Sequence, residues 1–144
     1  MHHNKKGFTL IEMLAVITII AVLVAIIIPA VGTSAQKAQA ATDAANLRTV
    51  LSLLNTHVIN GKQTVDDIID NCSNPTSKMD PDAKLTVVFE TPGFIDAFYA
   101  NGDVYYGLDY LSELASNGPD SEKLAEIGTA QPEIPGAAWY TVGD

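Results

Sequence analysis

Cysteine is nearly absent from this 144-residue chain: Cys72 stands alone, so no disulfide can form within it. The folded part must be held by packing, with a metal or neighbouring subunits as the only other staples, and Cys72 itself reads as a small, half-buried apolar side chain. Basic residues are also scarce. Eight Lys and Arg face 17 Asp and Glu, for a formal charge of −9, and those after Lys6 (Lys37, Arg48, Lys62, Lys78, Lys84 and Lys123) are scattered. Such a surface repels phosphate backbones, and no nucleic-acid partner is expected. The three histidines are His2, His3 and His57, and no nucleophile elbow, phosphate loop, HExxH or paired-cysteine pattern occurs. No catalytic residue, cofactor or metal ligand is therefore assigned, and an enzyme is not expected. His57 reads as a surface or domain-contact residue. Asp66, Asp67 and Asp70, or Asp80 and Asp82, have the oxygens calcium wants, but neither group follows the EF-hand order, and helix capping plus solvation accounts for both.

Charge is missing most completely from one stretch. Between Phe8 and Ile28 there is a single ionisable group, Glu12. As a helix, a run of that length crosses a hydrocarbon core of ~30 Å. Lys5 and Lys6 precede it, so the positive-inside tendency keeps residues 1–7 in the cytoplasm and sends the chain beyond Ile28 outside. Glu12 is the exception to explain, because a carboxylate inside a membrane helix costs ~2.5–3.5 kcal/mol even on lenient insertion scales and anchoring alone does not require it. Ala38-Gln39-Ala40 has the form of a secretory cleavage site, but the apolar run is longer than a signal-peptide core and the site lies far downstream.

Lys5-Lys6-Gly7-Phe8-Thr9-Leu10-Ile11-Glu12 resembles the processing site of type IV pilins and the related pseudopilins. The resemblance covers about the first thirty residues and includes Pro29 at the far end of the apolar run. It implies a cleaved leader (residues 1–7), cutting by a prepilin peptidase between Gly7 and Phe8, and N-methylation of Phe8. Residues 8–28 would be the transmembrane and assembly helix, with Glu12 setting assembly register and Pro29 kinking the helix. The implied partners are the peptidase, an assembly platform protein with its ATPase, and copies of the chain or other pilins. The implied location is a single-pass membrane protein, N-terminus inside, that later joins an extracellular filament. A surface pilus, a secretion or DNA-uptake pseudopilus and a tip component all fit this class. The chain departs from many Gram-negative pilins in lacking a C-terminal cysteine pair. The alternative is a membrane-anchored, adhesin-like binding module that does not polymerise and presents Tyr105, Tyr106 and nearby loops.

Beyond Gly32 the helical pattern resumes. Ala40, Ala44, Leu47, Leu51, Leu54 and Val58 share one face, widened by Val50 and Leu53, and Asn60-Gly61 is a stop signal. The prediction is one long, kinked helix of roughly 80 Å from Phe8 to Asn60, with residues 29–60 as an amphipathic outer half and residues 61–144 as an extracytoplasmic head. The small residues Ala35 to Ala45 would either pack against neighbouring subunits or simply favour the helix, and the large ones, Leu47 to Val58, would pack against the head. Thr64 should cap a short helix at Val65–Ile69. Residues 71–81 read as a loop and 85–89 as a strand. Asn101-Gly102 is a hairpin turn between strands at 95–100 and 103–107. Helices over 108–115 and 121–127, the second capped by Asp120, and a strand at 138–142 complete an α+β fold, a long N-terminal helix on a small antiparallel sheet. Tyr99, Tyr105, Tyr106 and Tyr110 gather around the hairpin, as packing or as a recognition surface.

Overall fold

The computed structural model describes residues 7–61 and 63–143. His2, His3, Lys5 and Lys6 of the expected leader, and Lys62, lie outside the described residues. The chain forms two compact units, Met1–Ser34 and Ala35–Asp144. Helix α1 (Leu10–Asn60) contributes to both.

In the first unit α1 begins behind Thr9, and its apolar side chains from Leu10 to Ile28 are exposed. Those side chains meet water nowhere else in a stable protein in such numbers, so the segment's own composition demands another environment. The helix is long and apolar enough to cross a membrane. Thr18, a polar residue inside this run, turns its hydroxyl back to the Leu14 carbonyl at 2.7 Å. Pro29 lies within α1, where its missing N–H leaves the Ala25 carbonyl without its usual helical donor.

In the second unit, α1 buries a stripe of Ala40, Asp43, Ala44, Leu47, Val50 and Leu54. Leu53 is 46 % exposed and lies off that face. Ala40 and Ala44 belong to the head's own core, so the small residues are not reserved for neighbouring subunits: the head extends further along the helix than the large side chains indicate. Asn60 ends α1, followed by Gly61 at φ +64°. Thr64 caps α2 (Val65–Asp70) through a reciprocal capping box with Asp67. That exchange holds the Asp67 carboxyl below its usual range, chiefly through the Thr64 hydroxyl.

The strands β1 (Lys84–Glu90), β2 (Gly93–Asn101), β3 (Val104–Gly107) and β4 (Ala138–Thr141) form an antiparallel sheet in the order β3-β2-β1-β4. The fold is α+β, as the sequence predicts. Leu85, Val87, Ala97 and Tyr99 alternate into the core with α1. The hairpin turn is displaced by one residue from its expected position. Asn101 pairs with Val104, so Gly102-Asp103 forms the two-residue loop. Only Gly102, at φ +59°, is left-handed, as in a type II′ turn with glycine first. After β3 come α3 (Leu108–Asn117) and α4 (Glu122–Ile127). The N-cap of α4 is Ser121 rather than Asp120, and its hydroxyl binds Glu113 Oε1 at 2.6 Å instead of its own helix. Glu113 thereby ties α3 to α4, and the hydrogen bonds from Ser121 and then Asn117 lower its pKa.

Candidate functional site

The N-terminal end of α1 is built from four residues. Gly7 and Phe8 precede the helix with nothing packed on them: a Cβ placed on Gly7 would meet no atom within 4 Å, and Phe8 is 81 % exposed. The junction between them is therefore sterically open. Thr9 and Glu12 form the start of the helix. The Thr9 N–H donates to Glu12 Oε2 at 2.7 Å, the Thr9 hydroxyl donates to the same oxygen at 3.0 Å, and the Glu12 N–H donates to the Thr9 hydroxyl at 3.3 Å. This is a capping box, which satisfies N-terminal helix donors reciprocally.

Glu12 thus has a local partner that the reading of its charge alone missed, although the signal, Thr-x-x-Glu ahead of an apolar run, is plain in the sequence. Both bonds go to Oε2, and Oε1 accepts from no described donor. The carboxylate is oriented along its own helix start, and the capping box leaves its second oxygen over, in the segment whose surroundings make an unsatisfied charge most expensive.

A family model for the prokaryotic N-terminal methylation motif matches residues 2–28, a signature of the class III signal peptides of type IV pilins and pseudopilins. Residues 2–28 are thus similar to the N-terminal segment of pilin-like precursors. The methylation motif contains all four residues just described and ends at Ile28, one residue before Pro29. The motif is one carried by structural pilin subunits, and it implies processing by a prepilin peptidase, with the apolar helix suited to membrane anchoring before assembly with other pilins. No curated protein and no solved structure matches the chain significantly.

The other candidates are dispersed. His57 is exposed in the last turn of α1. Asp67 is committed to its cap, and Asp80 accepts from the Asp82 N–H at 3.2 Å and from Asn101 Nδ2 at 3.0 Å. Among the described residues no three His, Cys, Asp or Glu side chains converge as metal ligands do. Cys72 is half-buried, its thiol directed to the Ser73 carbonyl at 3.3 Å, and burial pushes its pKa up, away from a reactive thiolate. The four tyrosines divide. Tyr99 is fully buried, Tyr106 packs on Tyr110 at 5.8 Å between ring centroids, and Tyr105 meets Phe98 and Trp139.

Proposed function

We propose that the chain is the precursor of a structural filament subunit, cut between Gly7 and Phe8, methylated on the new Phe8 amine, and moved from the membrane into a type IV pilus or related pseudopilus. The observation that carries this reading is the methylation motif running into a helical segment, Leu10 to Ile28, whose apolar side chains are exposed and interrupted by one oriented carboxylate. A bare anchor needs neither feature. In the filament those apolar side chains exchange lipid for the same helix of neighbouring subunits.

Cleavage creates an amine at Phe8, four residues ahead of Glu12. In low dielectric an unpaired charge is costly and a paired one strongly attractive. The amine of one subunit meeting Glu12 of its neighbour, through the oxygen the capping box leaves over, sets the axial register. Pro29 supplies a bend where the membrane-spanning part gives way to the outer half. The assembly platform protein and its ATPase supply the work of extraction, and the head is carried outside.

The first prediction is that mass spectrometry of the filament subunit finds Phe8 as the first residue with one added methyl group. Replacing Gly7 by a bulky residue leaves the leader attached, because a peptidase working at a membrane boundary needs a small, accessible backbone there. A mature chain starting at Ala41 would support secretory processing instead.

A further inference from the structure

Strand β3 is only four residues long and stops at Gly107, opposite Phe98, so from Gly93 to Ala97 the one strand paired with β2 among the described residues is β1. Gly107 is fitted closely to that place: a Cβ there would fall 2.7 Å from the Phe98 ring. Beyond it the chain turns into α3, and residues 127–132 return across the gap. What remains is a cavity of about 350 Å³ whose walls include Ile95, Asp96, Phe98, Tyr105, Asp109 and Tyr110. That volume is at the lower end of small-molecule sites.

The lining is unusual in its charge. Asp96 is half-buried in mid-strand, with Oδ1 accepting the Ala97 N–H at 2.8 Å. Burial raises its pKa, against the opposing hydrogen bond from the Ala97 N–H, and a second acid, Asp109, also raises it. Among the described residues no basic side chain lines the cavity. Asp96 loses hydration in this partly apolar wall while Asp109, exposed at the cavity's rim, adds a second negative charge, a cost to Asp96 that a bound cation removes. The remaining walls are aromatic rings, which attract organic cations, and aliphatic side chains that suit a hydrocarbon stem. A bare metal ion is a poorer fit, since two carboxylates among aromatic rings fall well short of the six or more oxygens that a hard cation takes.

We infer that this cavity binds a small organic cation, a primary ammonium or guanidinium group on a short apolar stem, held by the Asp96 and Asp109 carboxylates against the rings of Tyr105 and Tyr110. The inference rests on the head alone and stands whether or not the chain polymerises.

Trp139, the only tryptophan, stacks on Phe98 at 5.6 Å and meets Tyr105 edge-on at 5.9 Å, so its fluorescence reports on two walls of the cavity. The test titrates the full chain in non-ionic detergent micelles with pentylamine, agmatine, N-acetyl-lysine methylamide and, as the neutral control, pentanol. The cations give a saturable change in Trp139 emission and pentanol does not. Asp96→Asn and Asp109→Asn each weaken binding by roughly tenfold, the loss expected for one hydrogen bond to a charged group. Asp109 is exposed in the first turn of α3, so its variant leaves the fold intact even where Asp96→Asn disturbs it. Tighter binding of the blocked lysine than of the free amines assigns the ligand to a protein side chain, and the reverse order assigns it to a free amine. Absence of saturation with every cation, equal binding of pentanol, or native affinity in both variants overturns the inference.

Discussion

Tyr99 and Asp96 lie three residues apart on β2 and show opposite uses of burial. Tyr99 is fully buried, its hydroxyl donates to the Pro75 carbonyl at 2.9 Å, and burial pushes its pKa up to about 12, so it remains a neutral donor throughout the physiological range. Asp96 holds its carboxyl in a place that disfavours the charged form, and burial raises its pKa. A carboxyl whose pKa is raised on folding binds protons more tightly in the folded state, so it lowers stability at any pH above the raised value. That penalty disappears as pH falls through the raised pKa toward ~3.9, the ordinary value, where the unfolded chain is protonated too. Asp96→Asn is therefore expected to raise the melting temperature of the head at neutral pH, with the gain vanishing below about pH 4. Thermal unfolding of both proteins across that range checks it, and a lower melting temperature at neutral pH would mean the charge is already compensated in the folded head. Asp67 and Glu113 act in the other direction: their lowered pKa values add stability above the ordinary carboxylate range, lost as pH falls through their folded values.

At the scale of elements, the later part of α1 holds the head by side chains as well as by its apolar stripe. Asp43 is fully buried in that stripe, where Oδ2 accepts from the Ser77 hydroxyl at 2.6 Å and the Met79 N–H at 3.0 Å, and Oδ1 accepts from the Lys78 N–H at 2.7 Å. Three donors converging on one carboxylate fix the loop after α2 to the helix. Three turns on, Asn55 pairs both ways with the backbone of Phe94, accepting its N–H and donating to its carbonyl, each at 2.9 Å, and so secures the start of β2. Arg48 reaches Ser112 Oγ at 2.9 Å and Lys37 the Ser116 carbonyl at 3.2 Å, one turn apart on α3. Asp43→Asn changes almost no volume but sets an N–H₂ group against an N–H or hydroxyl donor. It is expected to destabilise the head by ~2 kcal/mol, measured by denaturant unfolding. An unchanged midpoint would show that the loop is held by other contacts.

The limits of sequence reading are visible in the same elements. The end of α1 at Asn60, the Thr64 cap and strand β1 follow from local chemistry and were legible. Asp43 was not, because an acid in an apolar stripe declares its donors only once residues 77–79, more than thirty positions away, are folded onto it. The Asp120 cap failed for a related reason: Ser121 is the cap residue by position, and its hydroxyl is drawn off by Glu113 of the preceding helix. The hairpin moved by one residue because glycine serves as the first of the two turn residues rather than the second. The N-terminal motif was legible, since Gly7, Phe8 and Glu12 fall within six residues ahead of a membrane-length run, whereas the Thr9 partner of Glu12 was missed.

For the whole molecule, chemistry divides along the chain. Among the described residues every buried core residue lies between Ala40 and Val142, while exposed large apolar residues crowd the span from Phe8 to Val31. Residues 30–144 produced alone are therefore expected to be a soluble acidic monomer by light scattering, since the core is retained and the apolar segment removed. Ordered filaments from that fragment would show that the membrane helix is not the assembly element. Loss of Lys5 and Lys6 with the leader would take the formal charge from −9 to −11, a surface that opposes association of heads and leaves the N-terminal helix as the source of cohesion.

The central claim is that the Glu12 charge, and not only the apolar surface around it, drives assembly. Glu12→Gln separates the two, because glutamine can still complete the capping box with Thr9 while the charge is gone. The decisive measurement is a side-by-side quantification of processed subunit in membranes and subunit in sheared filaments for the native chain and this variant. The account predicts a variant that inserts, loses its leader and accumulates in the membrane, with filament subunit reduced at least ~10-fold, as follows from losing one ion pair of ~1.4 kcal/mol or more in low dielectric. A normal filament yield from Glu12→Gln would contradict it and leave apolar packing as the only assembly force.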